Sequence, residues 1–79
     1  DTDLQVELGE WVLRQALAQM RVWSDAGMGW EVSVNIAAPH FHRPNFVQRL
    51  KDILHTCPEA SPSRLELEIL ESAALEDMQ

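Results

Sequence analysis

Asn35 and Glu68 are the residues of this sequence whose side-chain types and spacing point most directly to chemistry. Each lies near the carboxyl end of a short segment in which polar and apolar residues alternate. Such alternation is typical of β-strands, and neighbouring strands lie about 4.8 Å apart. An amide oxygen and a carboxylate on adjacent strand ends can therefore bind one hard cation such as Mg²⁺. Two structural roles stay open, because strand-end asparagines often belong to turns and alternating glutamates often form a solvated face.

The two alternating segments, residues 31–36 and 64–70, are predicted to be strands. A helix predicted over residues 45–56 connects them, and a strand–helix–strand unit favours two parallel strands with a right-handed crossover. The connection at 38–44 contains two prolines and is expected to be irregular, and a short helical turn is predicted over 73–77. The polar faces of the two strands consist of Ser33, Asn35, Glu66 and Glu68.

A longer helix is predicted over residues 4–26, ahead of the first strand. Its apolar residues recur at spacings of three and four, and both helices are expected to cover the apolar face of the strand pair. Gly9 weakens the first turns of this helix, and Gly27 is a typical stop signal. Glu10 is expected on the polar side of the helix, and His40 is expected to be a surface loop residue.

The polar outer face of the strand pair is unusual, because parallel strands are normally buried on both sides. It fits either a solvated face, which is a poor design for so small a sheet, or the lumen of a closed barrel. In (β/α)₈ barrels the reactive groups lie at the carboxyl ends of the strands, as Asn35 and Glu68 do. Their separation, 68 − 35 = 33, is about one strand–helix repeat of such a barrel. We therefore expect an α/β fold, a helix–strand–helix–strand fragment of a (β/α)₈ TIM-like barrel with its helices on one face.

The length and the charge of the chain limit its domain organisation and the classes of partner that it can bind. The chain has 79 residues, with 13 acidic and 6 basic side chains and a net charge of −7. That length makes one small domain at most, or about a third of a barrel of ~250 residues. The acidic balance argues against a nucleic-acid polymer or an anionic membrane surface as partner, and no apolar run approaches the ~20 residues of a membrane span.

Cys57 is the single cysteine, which excludes an internal disulfide and favours a reducing, cytoplasmic setting. Because residue 1 is Asp rather than Met, we expect the chain to begin inside a longer protein, which other regions could anchor to a membrane.

Three stretches together resemble the EAL domain family, the phosphodiesterases of the bacterial second messenger cyclic di-GMP. They are residues 8–13 (LGEWVL), 33–36 (SVNI) and 65–72 (LELEILES). The resemblance extends along nearly the whole chain, in the family's order and at its spacing. It implies a piece of a modified TIM barrel that contains the second and third strands with their helices.

The resemblance also implies a role for each matching residue. Asn35 matches the family's asparagine metal ligand, and Glu68 matches the metal-ligating glutamate of the third strand. Glu71 matches a glutamate that steadies a catalytic loop. In the complete domain, Mg²⁺ or Mn²⁺ would activate a water for attack on cyclic di-GMP, with linear pGpG as product. The Glu-Ala-Leu signature, the paired aspartates of the fourth strand and later ligands are absent from these 79 residues, so we expect the chain alone to be inactive and to bind no cation tightly.

Four positions depart from the family pattern. Leu70 replaces the Thr of Glu-x-Thr-Glu, Ala37 replaces a serine, and Pro39 and His40 stand where Arg-Gln is common. A second hypothesis is therefore a degenerate EAL-like domain that binds cyclic di-GMP or a partner protein without hydrolysis. A third hypothesis, which sets the resemblance aside, is a small acidic α/β protein-interaction module. Strands without neighbours leave backbone groups unpaired, so we also expect the isolated chain to self-associate.

Overall fold

The computed structural model describes residues 2–71, which form an α/β unit of two strands and three α-helices. The predicted helical turn at 73–77 lies outside these residues. The elements are α1 (Thr2–Asp25), β1 (Val32–Ala37), α2 (Ala38–Phe41), α3 (Phe46–His55), a 3₁₀ turn (Pro62–Arg64) and β2 (Leu65–Leu70).

The two strands form a parallel pair, which confirms the prediction from the strand–helix–strand order. Their register is continuous from Val32 opposite Leu65 to Ala37 opposite Leu70. Because side chains alternate along a strand, each strand has one apolar and one polar face. Val34 on the apolar face is buried.

The hydrophobic core lies on the apolar face of the sheet, beneath α1 and α3. Leu13 and Leu17 of α1 and Ile36 of β1 are almost completely buried there. Each such aliphatic side chain contributes about 1.5–3 kcal/mol when it leaves water. The core-facing residues of β2 are only half-buried, so the helices cover β1 more completely than β2. Core residues are contributed by α1, β1, α3 and the loop after α3: Leu13, Leu17, Met20, Val34, Ile36, Phe46, Ile53 and Ala60.

Helix α1 continues through Gly9 without interruption and ends at Asp25. Gly27 then adopts a φ of 80°, the left-handed conformation that glycine accepts at a helix end. Among the described residues, no helix combines the length and the apolar character that crossing a membrane requires.

The expectation of an irregular connection at 38–44 is wrong for its first four residues, which form α2. Pro39 lies in the first turn of α2, where a missing N–H removes no intrahelical hydrogen bond. The backbone N–H of His42 closes this turn on the carbonyl of Ala38 at 2.9 Å. Helix α2 therefore begins directly where β1 ends and leads the chain towards α3.

Candidate functional site

Asn35 and Glu68 are direct register partners on β1 and β2. Residues that face each other on adjacent strands lie about 4.8 Å apart, and their equal parity puts both side chains on the same face. Both residues are exposed on the side of the sheet away from the core. The fold therefore brings together the two oxygen-bearing side chains that the sequence pattern singled out.

The neighbouring register pairs on this face differ in chemistry. Towards the amino ends of the strands, the Ser33 hydroxyl donates a long hydrogen bond of 3.5 Å to the Glu66 carboxylate. Towards the carboxyl ends, Ala37 faces Leu70, whose side chain is 46% exposed. The polar surface thus changes to an apolar one directly beyond Asn35 and Glu68.

Glu71 follows β2 immediately and is exposed. It lies at the same end of the sheet as Asn35, because the strands are parallel. A cavity of about 210 Å³ lies between this end of the sheet and the first half of α1. The lining residues are Gln5, Leu8, Gly9, Val12, Asn35, Ala37 and Leu70.

The donor chemistry of this face fits a hard divalent cation, although the ligand set is incomplete. Mg²⁺ takes about six oxygen ligands, and Asn35 and Glu68 offer an amide oxygen and a carboxylate. Among residues 2–71, no group of three or more His, Cys, Asp or Glu side chains is arranged to hold a metal ion. The described residues therefore offer two oxygen donors on this face, fewer than a hard divalent cation takes.

A partly buried ion pair joins α1 to α3, since Glu10 is buried and Arg49 is exposed. The Nε and Nη2 atoms of Arg49 donate to the two carboxylate oxygens of Glu10 at 2.9 and 2.6 Å. Glu10 is 6% exposed, so its expected position on the polar side of α1 is wrong. The Arg49 hydrogen bonds hold the pKa of Glu10 below its ordinary value, against the burial that raises it. A signal was present in the sequence, since residue 10 continues the spacing of the buried Leu13 and Leu17.

His40 of α2 is buried between α1 and α3, which contradicts its expected position on the surface. It is 3% exposed, and its ring packs edge-on against Phe46 with 5.1 Å between centroids. Burial is the main cause that lowers its pKa from the ordinary value, with a smaller lowering from Arg43, while the Glu10 carboxylate acts in the opposite direction. Within residues 2–71, its Nδ1 has no hydrogen-bond partner.

Gly9 leaves the space that this imidazole occupies. A Cβ atom on residue 9 would lie 2.6 Å from Nδ1 and 2.8 Å from Cε1 of His40. We call four of these residues the α1–α3 cluster: Gly9, Glu10, His40 and Arg49. The α1–α3 cluster holds α2 between the two longer helices. Because α2 begins where β1 ends, the α1–α3 cluster fixes the path of the chain directly beyond Asn35.

Comparison with known proteins identifies the family. The model of the EAL domain family matches residues 1–79, the whole chain. The bifunctional diguanylate cyclase/cyclic di-GMP phosphodiesterase MucR of Pseudomonas aeruginosa is 40% identical over 79 residues, which cover 96% of this chain and 11% of that protein. The signaling protein YkoW of Bacillus subtilis is 31% identical, over 99% of this chain and 10% of its own length.

A further relative in Pseudomonas aeruginosa, named as a cyclic di-GMP phosphodiesterase, is 30% identical over 96% of this chain and 13% of its own length. No solved structure matches the chain. The chain spans about a tenth of the length of these relatives. Because the family model covers every residue, the chain belongs to the EAL domain family.

Proposed function

We propose that this chain supplies one wall of the divalent-metal site of a cyclic di-GMP phosphodiesterase. Asn35 and Glu68 are the proposed metal ligands. The observation that carries the proposal is their direct pairing at the carboxyl ends of two parallel strands, on the face turned away from the core. The cyclic di-GMP phosphodiesterases among the relatives support the choice of substrate.

Each residue has a distinct part in the proposed reaction. When bound, Mg²⁺ or Mn²⁺ supplies an activated water and neutralises charge on the phosphoryl oxygens during hydrolysis to pGpG. Asn35 and Glu68 each direct a side-chain oxygen to the cation from fixed strand positions. Glu71, just beyond β2, is the proposed anchor of a loop at the same end of the sheet.

We propose a (β/α)₈ barrel as the complete setting. The solvated face with Glu66 and Glu68 supports this, since closure of the barrel would turn that face into a lumen. Leu8 and Trp11 on α1 are 59% and 57% exposed, which supports further elements packing beside this helix. A cytoplasmic location is part of the proposal and rests on the free thiol of Cys57. A nucleic-acid polymer is not a proposed partner, because the net charge is −7.

A non-hydrolysing domain that binds cyclic di-GMP or a partner protein is the second candidate. One observation favours it: Leu70 presents an apolar, 46% exposed side chain on the site's face, where the family pattern has threonine. Its register partner is Ala37, so neither residue supplies a hydroxyl there. His40 is buried against Phe46 and so cannot contact a ligand at the strand ends without leaving the core.

Hydrolysis of cyclic di-GMP by the full-length protein, with Mg²⁺ or Mn²⁺, separates the two candidates. We expect pGpG formation, and a loss of kcat of at least about a hundredfold in Asn35→Ala and Glu68→Gln. The matched control is Glu66→Gln, which changes the same residue type on the same strand face one register pair away and should keep most of the activity.

A full-length protein that binds cyclic di-GMP tightly and forms no pGpG would establish the second candidate instead. Equal losses in Glu66→Gln and Glu68→Gln would contradict the assignment of Glu68, because a general electrostatic effect of the strand face would then explain both.

A further inference from the structure

A groove on the outer side of the helices is distinct from the strand-end site. It has a volume of about 540 Å³ and lies between the second half of α1 and the chain just after α3. Both walls belong to residues 14–57, so the described chain forms the groove by itself. The lining residues are Arg14, Leu17, Ala18, Arg21, Val22, Asp25, Thr56 and Cys57.

The groove has a mixed apolar and cationic surface. Ala18, which lies between Arg14 and Arg21 along the helix, and the 60% exposed Val22, which follows Arg21, provide the apolar surface. Arg14 and Arg21 are two of only six basic residues in a chain of net charge −7, so this is a local positive patch. An apolar groove can accept an amphipathic helix, and in this groove the two arginines outnumber the one carboxylate, that of Asp25.

Both arginines remain able to bind a carboxylate of a partner, because their contacts within the chain are long. The carboxylate nearest to Arg14 is that of Glu10, at 3.8 Å, and both of its oxygens already accept hydrogen bonds from Arg49. Arg21 contacts Asp25 only at 4.0 Å, and both side chains are largely exposed. Exposed pairs of this kind contribute little, so an incoming carboxylate competes with weak partners.

The spacing of the two cations determines the kind of occupant. Arg14 and Arg21 are seven residues apart, which is about 10.5 Å along a helix. One small anion cannot bridge that distance, whereas carboxylates seven residues apart on a second helix match it. The Asp25 carboxylate at the end of the groove repels an acidic partner, so removal of this charge should strengthen binding of that partner.

We propose that this groove binds an amphipathic helix whose acidic side chains are spaced two turns apart, beside apolar residues. The partner is a protein segment, and its contacts are ion pairs to Arg14 and Arg21 and apolar contact with Val22. This interaction is independent of the proposed hydrolysis, because none of the groove residues lies at the strand ends.

The probe is a synthetic amphipathic helix of about 20 residues, with two glutamates seven apart and leucines between them. A matched peptide carries glutamines at the two glutamate positions. We expect the glutamate peptide to bind at least about fivefold more tightly than the glutamine peptide, and more weakly at high salt. We also expect it to slow alkylation of Cys57, the single thiol, which lines the groove.

Protein variants supply the second set of measurements. The R14Q/R21Q double variant should weaken binding of the glutamate peptide about tenfold, and Asp25→Asn should strengthen it. Lys51→Gln is the matched control, because it removes one positive charge from an exposed residue outside the groove. Circular dichroism verifies the fold of each variant, and the comparison of the two peptides on the unchanged protein does not depend on any variant.

Several results would overturn the proposal. These are equal binding of the two peptides, no binding of either, equal losses in Lys51→Gln and the double variant, or unchanged alkylation of Cys57 in the complex. Concentration-dependent protection of Cys57 by the chain itself, abolished in the double variant, would also overturn it and would identify a second copy as the occupant.

Discussion

Substitution of Gly9 by alanine should destabilise the fold, although alanine is the better helix former. Gly9 lies in α1, and its missing side chain leaves room for the imidazole of His40. A new Cβ atom would lie 2.6 Å from Nδ1, well inside the contact distance of two heavy atoms. The imidazole cannot retreat easily, because it is 3% exposed and packs against Phe46.

Two opposing contributions set the magnitude. Alanine in a helix interior is more favourable than glycine by about 1 kcal/mol. Overpacking a filled site costs about 1–3 kcal/mol, and a displacement of roughly 1 Å in a tightly packed ring belongs in the middle of that range. The net loss in free energy of unfolding for Gly9→Ala is therefore about 1 kcal/mol.

Urea unfolding, followed by tryptophan fluorescence and circular dichroism, measures this change. The decisive comparison is a double-mutant cycle with His40→Ala, which removes the obstructing ring. In that background Gly9→Ala should raise the free energy of unfolding by about 1 kcal/mol, because only the helix propensity remains. The change of sign gives a coupling of about 2 kcal/mol between the two positions.

A stabilising effect of Gly9→Ala in the unchanged protein would show that the His40 ring does not obstruct a side chain at position 9. So would the same destabilisation in both backgrounds, since the cost would then not come from the His40 ring.

Three other predictions concern the α1–α3 cluster and the sheet edges. The free energy of unfolding should fall as the pH drops below about 6.5. His40 is then protonated in the unfolded state, while burial keeps its pKa lower in the folded state. Urea midpoints measured against pH should show this decrease in the unchanged protein and not in His40→Gln. Glu10→Gln should lower the free energy of unfolding by about 1.5 kcal/mol at pH 7, because Arg49 loses a charged acceptor. This difference should shrink below the ordinary carboxyl pKa, because the stability that the lowered pKa of Glu10 provides is lost there. A difference that stays constant from pH 7 to pH 3 would contradict the prediction. The isolated 79-residue chain should self-associate through its unpaired strand edges, and a monomer in sedimentation at high concentration would count against this. The isolated chain should also show no hydrolysis of cyclic di-GMP, which measurable turnover would contradict.

The sheet and its polar face follow from local pattern. Alternation of residue types determines which side chains share a face, and the helical crossover requires parallel strands. Those two rules place Asn35 and Glu68 on one face, near the same end of the sheet. The structure adds the register that makes them direct partners. The shared face therefore needs no knowledge of contacts distant in sequence, whereas the register does.

The spacing of residue 10 with Leu13 and Leu17 indicates burial, but the contacts within the α1–α3 cluster do not follow from local pattern. Glu10 and Arg49 are 39 residues apart, and neither residue type predicts burial. A charged group enters a core only where a partner compensates it, and that partner is determined by the packing of two helices. The surface position expected for His40 is wrong for a related reason: two nearby prolines favour an irregular loop, whereas Pro39 lies in the first turn of α2 and His40 is buried.

We propose that Asn35 and Glu68 hold the same divalent cation, and Mn²⁺ binding measures this contact itself. Electron paramagnetic resonance of the full-length protein, titrated with Mn²⁺, measures the affinity in the absence of turnover. We predict that Asn35→Ala and Glu68→Gln each weaken Mn²⁺ binding by at least about tenfold, and that the double variant loses less than the sum of the two free energies. Glu66→Gln is the matched control. An Mn²⁺ affinity that neither Asn35→Ala nor Glu68→Gln changes would show that these two residues do not bind the cation.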